Sequence, residues 1–444
     1  MSALDGMKSV MAGEDFSSTW LEARAKFREA ASAAGARLAA LKYEPLDTLP
    51  AVWRSLGPDV PLTIDIALLG DELSAPAMLL HTSGVHGVEG FAGSAIQVGF
   101  LRDVAARGGW HRRGVCAVVV HGINAHGMAQ MRRWNERGVD LNRNFLIEDV
   151  TVGTLPGPDG ARATFSALAA QPHAVYRQIY DFVNPQSPAA LLAPLRFYAL
   201  AALAVVRHGF GALKQAIAGG NYLPDETPSS AAPALFFGGR ELEQSHRLLA
   251  QFMRRLGERR VAPLRRVVHV DVHTGLGPWG KDTLLAIDRD ADPSAVSRVS
   301  DARDALHERA PSRSGERSSP RACDFALEVS ADSRAGGTAY ALYGTLVEGL
   351  VQVLHAAAGA RVERAACIVQ EFGTEHALAV LEALRAERAL VKQAEMAGEP
   401  VPSANHPLRR RLRLAFFPDD DEWRRAVHAR GQLLIEQVCG WLEL

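Results

Sequence analysis

The feature that most constrains the fold of this chain is a series of short apolar runs separated by segments of helical periodicity. Aliphatic and β-branched residues mark six predicted strands, at residues 62–69, 77–80, 115–120, 266–272, 283–287 and 367–370. Helical spacing of apolar residues predicts intervening helices near residues 92–104, 241–253 and 377–391. Several strands are apolar without alternation, which is typical of strands buried on both faces. The pattern predicts an α/β fold, with a central mixed sheet flanked by helices on both faces.

The two ends of the chain extend this fold. From Ser17 to about Lys42, apolar residues recur at helical spacing, so the sequence predicts an amphipathic helix. Near the other end, the basic run 409–411 precedes the acidic run 419–422, which predicts a solvated strand and then a helix that begins near Asp419. We therefore expect a single domain over residues 1–444, with a helical extension at about 1–50 and a strand–helix unit at about 405–444.

Composition and charge exclude several classes of function. Hydrophobic residues make up 48% of the 444 residues, which excludes a disordered chain. Because 49 basic residues balance 50 acidic ones, neither nucleic acid nor an anionic membrane is an expected partner. The longest apolar run, residues 197–206, is shorter than the roughly 20 residues that cross a bilayer. Four scattered cysteines and an N-terminus without an apolar signal segment favour the cytoplasm.

One glycine motif has the spacing of a nucleotide-binding fingerprint but lacks its context. Gly275, Gly277 and Gly280 spell G-x-G-x-x-G after a predicted strand. The fingerprint requires a helix next, because the N-terminus of that helix holds the phosphates. Residues 281–287 have the composition of another strand instead, so we do not expect a dinucleotide here.

Two histidines and a glutamate stand where predicted strands end. His86 and Glu89 follow the strand at 77–80 in a glycine-rich turn, from which both side chains can reach one cation. His273 follows the strand at 266–272 in a similar setting. Two histidines and a carboxylate form a catalytic zinc set with a fourth position open, although the same set also suits other divalent ions. Three histidines near the motifs are expected to be structural: His81, His121 and His126.

The segment between these candidates carries the most specific motif. Residues 124–145 read N-A-H-G-M-A-Q-M-R-R-W-N-E-R-G-V-D-L-N-R-N-F. This segment resembles the N-P-x-G…R…N-x-x-G-V-D-L-N-R-N-F block of the zinc carboxypeptidase family. With H-x-x-E upstream and D-x-H-T-G downstream in the family's order, the chain is identified as a member. The E-F-G-T run at residues 371–374 is similar to that of a bacterial branch long classed as a domain of unknown function.

The resemblance implies a role for each matching residue. His86, Glu89 and His273 would hold one zinc ion. Asp140 would accept the N–H of a ligand histidine and so fix its tautomer. Glu371 would act as the general base, taking a proton from the attacking water and passing it to the leaving amine.

Further matches concern the substrate. Arg133 resembles the arginine that stabilises the tetrahedral oxyanion, with Arg132 as an alternative. Asn142 and Arg143 resemble the pair that grips the terminal carboxylate of the substrate. Tyr340 matches the mobile tyrosine that covers bound substrate. Two other tyrosines are alternatives for this role, Tyr222 and Tyr343.

The function that the resemblance implies is zinc-dependent hydrolysis of an amide bond next to a free carboxylate. The simplest form is a carboxypeptidase-type metallopeptidase, a protease with one zinc ion per chain. The alternative is an amidohydrolase that deacylates small N-acyl amino acids, as aspartoacylase-like proteins do. A non-catalytic binding module is a third reading, against which the filled ligand and base positions argue. The expected partner is a peptide or an acyl amino acid, and the sequence leaves substrate identity and oligomeric state open.

Overall fold

The computed structural model describes residues 13–44, 61–146, 165–166, 168–169, 174–191, 194–223, 232–286, 297–307, 327–329, 344–357 and 359–443. Within these residues, one sheet collects strands from both halves of the chain. Its strands are β1 (Arg37–Lys42), β2 (Thr63–Leu69), β3 (Ala77–Ser83), β4 (Val115–His121), β5 (Leu264–Trp279), β6 (Asp282–Ala286), β7 (Leu327–Val329) and β8 (Val362–Gly373).

The sheet is mixed. The strand order in the described residues is β1-β2-β4-β3-β5-β8-β6-β7. The four central strands β4, β3, β5 and β8 pair in parallel, whereas β2 and β6 run antiparallel to their inner neighbours. All six predicted strands are present. Among the described residues, the short outer strands β1 and β7 are the two that were not predicted.

Helices connect the strands and cover the sheet. Their bounds are α1 (Trp20–Ala33), α2 (Gly90–Ala106), α3 (Ala125–Ala129), α4 (Ala174–Gln178), α5 (Tyr180–Val183), α6 (Pro194–His208), α7 (Phe210–Ala218), α8 (Gln244–Glu258), α9 (Val299–His307), α10 (Leu346–Ala356), α11 (Ala377–Ala397), α12 (Pro407–Phe416) and α13 (Asp421–Leu442). Short 3₁₀ turns lie at Leu141–Arg143 and Pro188–Ala190. The helices predicted near 92–104, 241–253 and 377–391 correspond to α2, α8 and α11.

Helices lie on both faces of the sheet, as the neighbours of β5 demonstrate. Successive residues of a strand point to opposite faces. His269 Nδ1 lies 2.7 Å from the carbonyl oxygen of Val347 in α10, on one face. On the other face, Val272 packs so closely on α2 that a Cβ added to Gly93 would lie 3.2 Å from it. The predicted α/β fold with helices on both faces is confirmed.

The predicted helix over residues 17–42 is wrong in its second half. Helix α1 ends at Ala33, and Gly35 follows with a φ of 72°, in the left-handed region that favours glycine. Arg37–Lys42 then pairs with β2 as an antiparallel edge strand. A short apolar segment fits both helical and strand spacing, and here its hydrogen bonds to the edge of the sheet make it a strand. Residues 1–12 and 45–50 of the predicted extension lie outside the described residues.

The C-terminal unit consists of two helices, so the strand predicted at residues 409–411 is wrong. Helix α12 starts after His406, whose side chain accepts a hydrogen bond from the Leu408 N–H, and Pro407 occupies its first turn. Apolar residues on one face of α12 are buried, including Leu412 and Phe416. The helix expected near residue 419 is confirmed as α13, which begins at Asp421.

The G-x-G-x-x-G segment lies at the end of β5 and in the turn to β6, and not at a strand–helix junction. Gly275 and Gly277 lie within β5, and Gly280 turns the chain with a φ of 64° into strand β6. The predicted strand after Gly280 is therefore confirmed, and no helix N-terminus faces these glycines in this segment.

Candidate metal centre

Three residues predicted from sequence to bind a metal converge in the structure. His86, Glu89 and His273 each offer one ligand atom, and these atoms lie within 4.8 Å of one another. His86 Nδ1 lies 3.0 Å from Glu89 Oε1, and His273 Nδ1 lies 3.2 Å from both Glu89 Oε2 and His86 Nδ1. All three side chains are buried. A single cation can therefore be shared by two imidazoles and one carboxylate.

The turn after β3 positions the first two of these residues. β3 ends at Ser83, and Gly84 reverses the chain with a φ of 74°. Glu89 is then the residue that immediately precedes helix α2. Gly87 packs directly on the backbone of Gly127, since a Cβ at Gly87 would lie 2.1 Å from the Gly127 carbonyl carbon. The chain can approach this closely only because residue 87 has no side chain.

Each histidine of the cluster is held by a carboxylate on its far side. His86 Nε2 lies 2.9 Å from Asp140 Oδ1, as the sequence analysis expected of Asp140. His273 Nε2 lies 2.9 Å from Asp271 Oδ2. Asp271 was not among the predicted site residues, although the D-x-H spacing on a strand places both side chains on one face. Asp271 is itself fixed by the Thr82 hydroxyl, which donates to its Oδ1 at 2.6 Å.

The donor set fits a zinc ion. When each imidazole donates its Nε2–H to a carboxylate, its Nδ1 lone pair is left to face the shared centre, as metal-binding histidines require. Burial disfavours charge on His273, but Asp271 and Glu89 outweigh this effect and raise its pKa to about 10, so a metal ion would take the place of the Nδ1 proton. Burial likewise opposes ionisation of Glu89, yet His86 and Arg133 hold its pKa well below the usual range. The centre therefore stabilises positive charge, which a divalent cation supplies.

Glu371 lies beside this centre on the neighbouring strand. In the parallel pairing of β5 with β8, Glu371 is directly opposite His273. The Leu276 N–H donates to Glu371 Oε1 at 2.9 Å and so orients the carboxylate. Burial and the negative charge of Glu89 both raise the pKa of Glu371. A carboxylate with a raised pKa binds a proton more readily than an ordinary one, as a general base requires.

Neighbouring arginines have different surroundings. Arg133 Nη1 donates to Glu89 Oε1 at 2.6 Å and its Nη2 donates to Asp140 Oδ2 at 3.2 Å, so this guanidinium lies at the metal centre. Arg132 points away from it and forms a fully buried ion pair with Glu387 of α11. Of the two alternatives from the sequence, Arg133 is the one whose guanidinium reaches the ligand cluster.

The two residues predicted to grip a carboxylate follow Asp140 in the 3₁₀ turn Leu141–Arg143. The Leu346 N–H donates to Asn142 Oδ1 at 3.1 Å, which fixes the amide group. Arg143 Nη1 donates to the carbonyl oxygen of Asn142 at 2.7 Å. Tyr222 lies beneath this turn, and its hydroxyl donates to the Arg143 carbonyl oxygen at 2.6 Å. The other two tyrosine candidates, Tyr340 and Tyr343, lie outside the described residues.

One cavity brings these groups together. It has a volume of about 590 Å³, within the range of pockets that bind small molecules. Six of the predicted site residues line it: His86, Arg133, Asn142, Arg143, His273 and Glu371.

The three histidines expected to be structural make contacts elsewhere. The Gln97 amide lies 3.2 Å from His81 Nδ1, and His121 Nε2 lies 2.9 Å from the Ser94 hydroxyl. Burial lowers the pKa of His81 and His121 to about 4 and that of His126 to about 3. These three histidines are buried and neutral, and none of them belongs to the ligand cluster.

Among the helices that the structure describes, none is long and apolar enough to cross a membrane. The apolar run at residues 197–206 lies within α6.

The solved structures that are similar to this chain over most of its length include the following three. Thrombin activatable fibrinolysis inhibitor is 10% identical, with a TM-score of 0.46 over 96% of this chain and 74% of that chain. Carboxypeptidase A from Helicoverpa armigera is 11% identical, with a TM-score of 0.40 over 86% and 73%. Succinylglutamate desuccinylase from Chromobacterium violaceum is 15% identical, with a TM-score of 0.32 over 85% and 76%.

Sequence comparison gives the family. No curated protein matches the sequence. A family model described as "Protein of unknown function (DUF2817)" matches residues 16–430, well beyond the motifs between His86 and Thr374. Because this match covers most of the chain, the protein belongs to the DUF2817 family.

Proposed function

We propose that this protein is a zinc-dependent hydrolase that cleaves an amide bond next to a free carboxylate, in the manner of a carboxypeptidase-type metallopeptidase. The observation that supports this most strongly is one cavity lined by the histidines of the cluster, Glu371 and Arg143. Cation ligands, a base of raised pKa and an anion-binding guanidinium are the groups that such a reaction requires.

His86, Glu89 and His273 would hold the metal, and Asp140 and Asp271 would orient the two imidazoles. A zinc ion bound by such a set polarises the amide carbonyl and lowers the pKa of a water molecule.

Glu371 is the proposed base. Its carboxylate would accept a proton from the attacking water and donate it to the nitrogen of the leaving amine. Its burial and the nearby charge of Glu89, which raise its pKa, support both halves of this transfer. The hydrogen bond from the Leu276 N–H occupies Oε1, so Oε2 is the oxygen that we assign to proton transfer.

Arg133 and Arg143 are the proposed anion-binding groups. Arg133 would stabilise the oxyanion that forms at the carbonyl carbon, because its guanidinium already lies against Glu89 at the centre. Arg143, with Asn142, would bind the free carboxylate of the substrate, for which a planar guanidinium is well suited. We assign the covering role to Tyr340.

A second candidate is an amidohydrolase that acts on N-acyl amino acids. It requires the same residues, since the scissile bond and the carboxylate are arranged alike. The apolar side chains that line much of the cavity favour this candidate, because they suit an acyl group better than a polar peptide backbone.

We further propose a single catalytic domain over residues 1–444 that works in the cytoplasm. Strands from residue 37 to residue 373 share one sheet, which supports a single folding unit. Cys116, Cys367 and Cys439 are buried free thiols, as is common in a reducing compartment.

Two measurements test the proposed function. Metal analysis of the purified protein should give one zinc ion per chain. Turnover of a panel of dipeptides and N-acetyl amino acids should then collapse in Glu371→Gln while zinc content is retained. The matched control is Glu363→Gln, a change at an exposed residue of the same strand. Unchanged turnover in Glu371→Gln would end the proposal.

A further inference from the structure

The cavity extends beyond the metal centre between apolar helix faces. Helix α7 directs residues at spacings of three, four and seven toward the cavity, and α6 contributes a similar face. The apolar residues on these faces are Ala201, Ala204, Val205, Phe210, Leu213 and Ile217. Leu381 and Leu384 also line the cavity, and they belong to α11, the helix that follows β8. We call the space between these apolar faces of α6, α7 and α11 the aliphatic channel.

The inner end of this channel lies at the catalytic groups. Helix α7 ends at Ala218, and Gly220 then packs on Arg143, where an added Cβ would lie 3.0 Å from Arg143 Cδ. From Ile217 back to Phe210 the helix rises about 10 Å, at about 1.5 Å per residue. The apolar face of α7 therefore leads away from Arg143 over about that distance.

The outer end of the channel opens to solvent. Val205 and Phe210 line the cavity, yet they are 38% and 59% exposed. Val206, beside them, is 83% exposed. The apolar surface is thus continuous from the catalytic groups to the protein surface at the turn between α6 and α7.

The charged residues of the channel wall are balanced. Burial lowers the pKa of Lys214, and the carboxylate of Glu328 acts in the opposite direction. Glu375 pairs with Arg411 at 2.6 Å. On the described channel wall outside the catalytic groups, opposite charges therefore lie near one another and offset each other in part.

An aliphatic chain fits this channel better than a peptide does. About 10 Å would hold about three residues of extended peptide, each of which brings an N–H and a C=O. The apolar side chains of α6 and α7 that line the described channel cannot pair with those groups, and burying them unpaired is costly. An alkyl chain has no such groups, and each buried methylene is favourable.

We propose that the substrate is an N-acyl amino acid whose acyl group is a long aliphatic chain that lies in this channel. The inference rests on the proposed function in its amidohydrolase form, because it takes the carboxylate to be at Arg143 and the carbonyl at the metal centre. The acyl group then extends between α7 and α11 toward Phe210.

Binding measurements test the channel independently of turnover. Calorimetry on the zinc-loaded Glu371→Gln protein would compare N-acetyl, N-hexanoyl and N-decanoyl derivatives of one amino acid. We expect Kd to fall at least about tenfold from acetyl to decanoyl, because added methylenes are buried. A Kd that does not depend on acyl length overturns the inference, as does tighter binding of a peptide of matching length.

A pair of variants tests whether the acyl chain lies in the channel. Ala204→Trp fills the channel and should reduce the decanoyl-to-acetyl affinity ratio at least about tenfold. Leu203→Trp is the matched control, because Leu203 is adjacent, 60% exposed and not among the residues that line the cavity. Its ratio should equal that of the parent protein, with thermal melting of both variants as the folding check. An equal ratio in Ala204→Trp also overturns the inference.

Failure of the proposed function has a different signature. If the zinc-loaded parent protein hydrolyses N-acetyl amino acids or dipeptides while Kd ignores acyl length, only the channel inference fails. If Kd depends on acyl length and no amide is cleaved, the catalytic assignment fails and the acyl site stands.

Discussion

Asp271 and His273 are two residues apart on β5, and the carboxylate Oδ2 of the first lies 2.9 Å from Nε2 of the second. Both side chains are buried on the same face of the strand. The other oxygen of Asp271 accepts the Thr82 hydroxyl at 2.6 Å. The carboxylate is fixed by both oxygens, so it fixes the plane and the tautomer of the imidazole in turn.

Replacing Asp271 by asparagine should weaken zinc binding. The amide cannot supply the negative charge that favours metal binding by His273, and loss of such a partner typically reduces metal affinity about 10–100-fold. Competition with a chromophoric chelator measures this affinity. Asp103→Asn, a change at a half-exposed residue of α2, is the control and should leave zinc affinity unchanged. Equal affinities in the two variants would contradict the role of Asp271.

Arg132→Met should destabilise the fold. Arg132 and Glu387 form an ion pair with both side chains fully buried, and the Trp134 indole donates to the same carboxylate at 3.4 Å. Removing the arginine leaves a buried charge without its partner, which costs about 3–5 kcal/mol of unfolding free energy. Urea denaturation measures the loss, and Arg132→Met with Glu387→Met should recover part of it. A loss below about 1 kcal/mol, which is typical of a solvent-exposed ion pair, would contradict this prediction.

Arg133→Lys should impair turnover more than stability. Arg133 contacts Glu89 and Asp140 through separate nitrogens, at 2.6 Å and 3.2 Å, and a lysine ammonium cannot reproduce this fork. Losing one oxyanion donor typically reduces kcat about 100- to 1,000-fold. Steady-state kinetics with zinc content measured on the same samples separates catalysis from metal loss. Full zinc content with unchanged kcat would remove Arg133 from the proposed mechanism.

The strand-end residues were predictable from sequence because buried strands and polar turns leave strong local signals. His86 follows the aliphatic strand β3, and His273 follows the β-branched residues of segment 267–272 within β5. Parallel pairing sets the end of β3 beside Val272, so both histidines lie at one edge of the sheet. The edge strand β1 was not predictable in this way. Its Leu38 and Leu41 fit helical spacing, and only pairing with β2 makes the segment a strand.

The channel depends on contacts that no local pattern contains. Residues 197–206 are apolar enough in sequence to raise the question of a membrane span, and length excludes it. Their position beside the metal centre follows from the packing of α6 on α7 and of Gly220 on Arg143, far away in sequence. Asp271 could have been predicted from the sequence, because the acidic and imidazole side chains of D-x-H on a strand lie on one face. The Arg132–Glu387 ion pair could not, because it joins segments that are far apart in the sequence.

Glu136 should make the protein less stable as pH rises toward neutrality. Burial, and then the carboxylate of Glu243, raise the pKa of Glu136 from 4.5 to about 7, against the opposing effect of Arg137 and Arg247. Between these two pKa values the folded state binds more protons than the unfolded state, so the free energy of unfolding falls as pH increases. The decrease is complete above the folded-state pKa and amounts to at most about 3 kcal/mol.

Glu136→Gln tests this because the amide is neutral at every pH. The variant should match the parent protein in stability near pH 4 and exceed it above about pH 8, where the parent must hold a buried carboxylate beside Glu243. Urea midpoints measured across this range give the comparison, with Glu363→Gln, an exposed glutamate, as the control that should track the parent. A stability difference between Glu136→Gln and the parent that stays constant with pH would contradict this prediction. Glu136 would then have the same pKa in the folded and the unfolded chain, and its burial beside Glu243 would not lower the free energy of unfolding.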